Sequence, residues 1–285
     1  MAREQSARER GVAPAGDAGR VAQDQPLKKP QKSYHTILEQ HVAQAQEELE
    51  RPASGLLLSS FSAGLDLGFG PLLMAVLLTM SGGVWPHSLT AAVLAMAYAV
   101  GFVFVVLGRS ALFTEQTTSA VLPVLAGRAS LVQLARLWIL VLIGNVVGGA
   151  LFALFLSTLG PHLHIVDAAA FGTIARKLLD VPWWTMWGSA VVAGWLMGLL
   201  AWLMAASRDT IAQIVFVALT TFLIGIAGFH HSIAGTIEIL LALFARAGPT
   251  WADYGRFISA AAVGNAIGGA LFVAALKFGH VRASA

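Results

Sequence analysis

Cysteine is absent from the 285 residues, so disulfides, thiolate nucleophiles and thiolate metal sites are excluded. Charge is scarce: Asp, Glu, Lys and Arg make up 12% of the chain against 57% hydrophobic residues, and the mean hydropathy is +0.73. That balance does not suit a soluble domain of this length; it suits a chain that crosses a membrane several times. Two enzyme motifs are missing as well, the Gly-x-Ser-Gly protease element and the His-Glu-x-x-His zinc helix. No enzyme chemistry, cofactor or metal site is expected. A sequence pI near 9.5 would suit nucleic acid. However, eight of the 18 Lys and Arg precede residue 52 and the others are spread thinly, so no basic face is predicted. The N-terminal region is long, polar and contains acidic residues, unlike a signal peptide.

What is present is a repeat. Gly144-Asn145-Val146-Val147-Gly148-Gly149-Ala150-Leu151-Phe152 returns 120 residues later as Gly264-Asn265-Ala266-Ile267-Gly268-Gly269-Ala270-Leu271-Phe272, with seven of nine positions identical. Spans need about 20 apolar residues, and six candidates follow the polar start, near 54–80, 89–126, 137–159, 184–206, 211–244 and 257–278. The second is interrupted at Gly108-Arg109-Ser110 and the fifth at Gly228-Phe229-His230-His231-Ser232, again 120 apart from Gly108 to Gly228. Discontinuous helices at matching places in two halves point to a transport site between them. The predicted fold is therefore an all-α membrane protein, an inverted 3+3 repeat of six spans with broken second and fifth helices. The repeats cover about 54–160 and 184–280 of a channel domain at 53–280.

Residues 1–32 lack a core pattern and read as a disordered cytoplasmic tail, and 281–285 as a short second one. Between them and the channel, Tyr34, Ile37, Leu38, His41, Val42, Ala45 and Leu49 recur at helical spacing, which predicts an amphipathic surface helix over 33–52. With the N-terminus inside, thirteen Lys and Arg face the cytoplasm and four (Arg176, Lys177, Arg246, Arg256) the outside, leaving Arg109 in the membrane. Three spans per repeat make the halves antiparallel and put both termini inside.

Histidine at a helix break can donate, accept or take up a proton, so His230 and His231 are the leading pore candidates; the competing reading is two packing histidines. Thr114, six residues past Gly108, offers a hydroxyl to an imidazole or a passing anion. Arg109, Glu115, Asp66 and Glu238 lie at or near span interiors and are expected to face protein or water and to pair, Arg109 with Glu115 or Asp66. Lys177, in the loop before the fourth span, concentrates anions at a pore mouth or is an ordinary loop charge. Trp138, Trp183, Trp184 and Trp187 fit an interfacial belt, and the Gly-rich repeats allow close helix approach.

Gly228-Phe229-His230-His231-Ser232-Ile233-Ala234 resembles the Gly-Phe-Glu-His-Ser-(Ile/Val)-Ala motif of the formate/nitrite transporter family. Leu112-Phe113-Thr114 resembles that family's Leu-Phe-Thr loop, and the likeness runs over about 33–280. The resemblance implies an aquaporin-like fold, a homopentamer in the bacterial inner membrane with one pore per protomer, and passage of small monovalent anions with protons. It implies that His231 is the central pore histidine, Thr114 its partner, Lys177 the vestibule lysine, and Leu112, Phe113 and Ile224 constriction residues. The chain departs from the pattern at His230 and Ala111, where the family carries glutamate. The expected mechanism is a weak-acid pathway, in which an anion gathered at Lys177 is protonated near Thr114 and His231 and crosses as the neutral acid. The competing reading is a closed or signalling member whose tail binds a partner. A neutral-solute channel is less consistent, because no Asn-Pro-Ala loop is present.

Overall fold

The computed structural model describes residues 31–283, and among the described residues every regular element is helical. Helix α1 (Tyr34–Glu50) starts at Ser33, whose hydroxyl accepts the Thr36 N–H at 3.2 Å. Helices α2 (Ala53–Leu67) and α3 (Phe69–Ser81) form the first membrane-length stretch, and α4 (His87–Leu107) the second. After a break come the short α5 (Phe113–Ser119) and α6 (Val121–Leu125), then α7 (Leu131–His162). A linking helix, α8 (Ala168–Leu179), precedes α9 (Trp183–Ala206) and α10 (Thr210–Ala227). A second break leads to α11 (Ser232–Phe244) and α12 (Trp251–Gly269), which runs through a π-helical turn at Ala270–Ala275 into α13 (Leu276–Ala283). Six stretches are long and apolar enough to cross a bilayer, and the second and fifth spans are broken as the sequence predicts.

The two halves repeat in space more fully than in sequence. Glycine lets α2 lie on α7 and α9 on α12: a Cβ on Gly64 would strike the Asn145 carbonyl oxygen, and one on Gly194 that of Asn265. Gly148 and Gly268 lie equally close to the Phe61 and Val191 carbonyls. Such small-residue contacts bring helix backbones together where lipid offers no hydrophobic drive. Paired positions are 130 residues apart on the first helix of each half (Gly64, Gly194) and 120 apart on the last (Asn145, Asn265). At the breaks they are 119 apart. The left-handed residue of the second turn is Gly228 (φ 69°), and its counterpart is Arg109 (φ 55°), not Gly108, whose φ is −70°. The Gly108–Gly228 match expected from sequence is therefore corrected by one residue.

The apolar face of α1 is legible in the sequence: Ile37, Leu38, His41, Val42, Ala45 and Leu49 are all buried, while Tyr34 is exposed. That face packs against protein, with Ile37, Leu38 and Val42 joining Leu122, Trp202 and Val281 in one cluster. Most of the expected N-terminal tail lies outside the described residues. Of the short C-terminal tail, 281–283 finish α13 and the last two residues lie outside the described residues.

Candidate functional site

Breaking a span frees backbone groups that must find partners in a dry interior, and here two asparagines supply them. The Asn145 side chain accepts the Phe113 N–H (2.8 Å) and donates to the carbonyls of Ser60 and Ala111 (2.8 and 2.9 Å). Asn265 does the same for the Ser232 N–H (2.7 Å) and for the carbonyls of Ala190 and His230 (2.8 and 3.0 Å). A serine completes each turn: Ser59 accepts the Ala111 N–H, and Ser189 the His230 N–H. Ala111 and His230 are thus equivalent positions in the two halves. The asparagines stand in the repeated sequence motif, but that motif gave no sign of what they hold.

With both turns fixed, the half-helices α5 and α11 meet. His231 Nε2 lies 2.8 Å from Thr114 Oγ1, and both residues are buried (1% and 0% exposed). His231 also caps α11, its Nδ1 accepting the Ala234 N–H at 3.2 Å. That acceptor role sets the tautomer: Nε2 carries the proton and donates it to Thr114. Leu112, equivalent to His231, occupies the N-cap position of α5 without a side-chain cap and is fully buried, and Phe113 is buried against Trp138. Phe102, missed in the sequence because nothing marks it among the apolar residues of α4, sets its ring edge-on to His231 at 4.9 Å. Ile224 is fully buried at the end of α10, where its carbonyl accepts the Phe229 N–H.

His230 faces away from this pair. Its Nδ1 lies 2.8 Å from Ser189 Oγ and its Nε2 2.9 Å from the Leu178 carbonyl, which makes it a strut from the turn to α9 and α8. The strut fixes the end of α8, where Lys177 stands. Lys177 is on a helix, not in the expected loop, because Ala170, Phe171, Ile174 and Leu178 bury one face of α8. Its Nζ donates to the Gly225 carbonyl at 3.3 Å, and its stem passes the Gly228 turn.

On the opposite side of the break a polar cavity of about 640 Å³ opens between α1 and the first turn. Arg109, Ser110, Glu115 and Gln116 line it together with His41, Glu47 and Glu48 of α1. Arg109 is exposed there and has no ion pair among the described residues. The expected pairing with Glu115 or Asp66 is corrected: Arg109 is exposed and lines the cavity, and Asp66 accepts from Ser62 at 3.2 Å. Glu238 is buried (6% exposed) and also lacks an ion pair among the described residues, though the charges of Lys177 and Glu238 sense each other.

Comparisons with known proteins agree with this architecture. The family model described as Formate/nitrite transporter matches residues 35–279. Inner membrane protein YfdC of Escherichia coli (strain K12) is 31% identical over 249 residues, covering 86% of this chain and 78% of that protein. Among solved structures, an FNT family ion channel superposes with a TM-score of 0.77 at 24% identity, covering 87% of this chain and 98% of the other. A pentameric formate channel with formate bound gives 0.62 at 19% identity, covering 81% and 95%. With the family match spanning nearly all of the membrane-embedded chain, this protein belongs to the formate/nitrite transporter family of transmembrane anion channels.

Proposed function

We propose that the chain passes small monovalent weak-acid anions, formate and nitrite being the first to try, together with a proton. The observation that carries this reading is the Thr114–His231 hydrogen bond, which joins the two half-helices between the Arg109-lined vestibule and Lys177. A charged anion cannot enter the dry layer of Leu112, Phe102 and Phe113, because losing its hydration is too costly there. A neutral acid can, and Thr114 and His231 offer it one polar step within the apolar wall. The N-terminal end of α11 adds a positive dipole end at the same level, which holds any residual negative charge on the permeant. Lys177 and Arg109, the latter without an ion pair among the described residues, gather anions at the two mouths.

The same reading makes the protein a homopentamer of the bacterial inner membrane, with a pore in each protomer and both termini in the cytoplasm. The resemblance of its motifs to the family and the pentameric neighbour support it. Stopped-flow uptake of formate and nitrite into proteoliposomes at two pH values tests it, with His231→Ala as control. Uptake that rises as pH falls, and changes in the variant, is the expected result. Uptake no faster than in empty liposomes, from pentameric protein, rejects it.

A further inference from the structure

The weak-acid pathway needs a proton donor and acceptor, and the geometry rules out the two histidines at its centre. His231 Nδ1 accepts the Ala234 N–H. A proton placed there would set donor against donor and uncap α11. His230 has both ring nitrogens engaged, with Ser189 and the Leu178 carbonyl. The family's two glutamates are also missing, since their positions hold Ala111 and His230.

Two other carboxyl groups stand on the half-helices that follow the breaks. Glu238 lies on α11, seven residues and two turns beyond His231, so it shares that residue's face. It is 6% exposed and has neither ion pair nor hydrogen bond among the described residues. Among the described residues the one charge it senses is that of Lys177 of α8, and the neutral phenol of Tyr98 of α4 lies within range of its own charge. Tyr98 packs on Phe102 (5.0 Å), which packs on His231 (4.9 Å), so a chain of ring contacts leads from the neighbourhood of Glu238 to the central pair. Of the other helices packed on α11, α3 has no titratable residue; on α12, Tyr254 is engaged with Thr236, Asp253 with Thr250, and Arg256 with the Leu179 and Val181 carbonyls. Arg136 and His162 of α7 are bonded at that helix's two ends. Across the plug, Glu115 lies on α5, three residues past Leu112, and lines the vestibule with Arg109. It too is unpaired among the described residues. It faces His41, Glu47 and Glu48 of α1 and, across the cavity, Lys32, which donates to the Ala205 carbonyl at 2.7 Å, while α9 and α6 bring it no charge. Each side of the plug therefore has one cation at the helix turn and one uncommitted carboxyl group beside it.

Resting on the transport reading above, we infer that Glu238 and Glu115 are the proton-exchanging groups on the two sides of the plug. An anion held at Lys177 takes the proton of the Glu238 carboxyl: one O–H bond breaks and one forms on the anion. The neutral acid passes Thr114 and His231 and gives its proton to the Glu115 carboxylate, so the anion leaves past Arg109. Each carboxyl group re-equilibrates with water on its own side. One proton thus accompanies each anion and no net charge moves; flux in the other direction reverses the roles.

The test is formate uptake into proteoliposomes carrying an internal pH dye, for wild type and for Glu115→Gln, Glu238→Gln, Glu115→Asp and Glu238→Asp. The expected result is a loss of about tenfold or more in rate with a flattened pH profile in either Gln variant, and recovery with a displaced profile in the Asp variants. Gln variants with wild-type rate and pH profile overturn the inference while leaving the transport reading intact. If a Gln variant fails to assemble, its Asp counterpart decides: a displaced pH profile supports the inference and an unmoved one overturns it. Wild type that takes up no formate overturns the transport reading and this inference with it.

Discussion

At Asn265 one carboxamide satisfies an N–H and two carbonyls that the broken helix leaves behind. All three lie where water is excluded, and an unmet buried polar group costs about 1–3 kcal/mol. Asn265→Ala is therefore expected to lose about 3 kcal/mol or more and to lower the melting temperature measured in detergent. Asn265→Asp retains the acceptor for Ser232 but loses the donor, so it should fall in between. At His231 the two jobs of the ring separate. His231→Asn keeps an N-cap for α11 but is too short for Thr114, so assembly should survive while conduction changes. His231→Ala should lose both, with a melting temperature below that of the Asn variant. Individual site residues were readable where a local motif carries them: Thr114 and His231 meet as expected from their sequence neighbourhoods. His230 was not, because its partners Ser189 and Leu178 come from helices 41 and 52 residues earlier, and nothing local distinguishes a strut from a pore ligand.

Among the elements, α1 carries a built-in pH dependence. His41 is 5% exposed, its Nε2 lies 2.8 Å from Ser119 Oγ, and burial holds its imidazole down to about 4 from an ordinary 6.5. Released from the bundle, the same ring would bind a proton at ordinary pH values below 6.5. Because the docked pKa is the lower one, docking is at full strength above pH 6.5 and weakens as pH falls toward 4. A gap of that size is worth about 3 kcal/mol at the acid end, enough to loosen a helix that covers the vestibule. Protection of residues 34–50 against hydrogen exchange, after correction for the intrinsic pH dependence of exchange, is expected to fall between pH 7 and 5, and His41→Phe to abolish that change. Protection that is indifferent to pH would reject the idea. The buried face of α1 followed from periodicity alone, whereas its docking site did not, since any apolar surface satisfies the same pattern. For α8 the reverse holds: Arg176 and Lys177 read as charges of the loop before the fourth span, and packing against α11 and α3 is what stabilises the helix.

Over the whole molecule, the visible 120-residue repeat understates the symmetry, because a single offset cannot follow a chain whose paired positions shift between 119, 120 and 130. The Gly-Asn motif survives at full likeness because it meets the tightest constraint, backbone contact plus capture of a broken turn. What the symmetry leaves unequal is the cation at each turn. On one side it is Arg109 within the turn itself; on the other, Gly228 gives up its side chain and Lys177 reaches in from α8. If both serve to gather anions, each should act only from its own side. Lys177→Gln is then expected to slow uptake severalfold when the anion is presented at the α8 face, and Arg109→Gln when it is presented at the α1 face, in vesicles of known orientation. Both effects should shrink as salt rises, since screening shortens the reach of an exposed charge to about 8 Å at physiological ionic strength and about 3 Å at 1 M. Equal slowing from both faces, or slowing that salt leaves unchanged, would place these cations in the conduction step itself and remove the two-mouth arrangement as the reason for their positions.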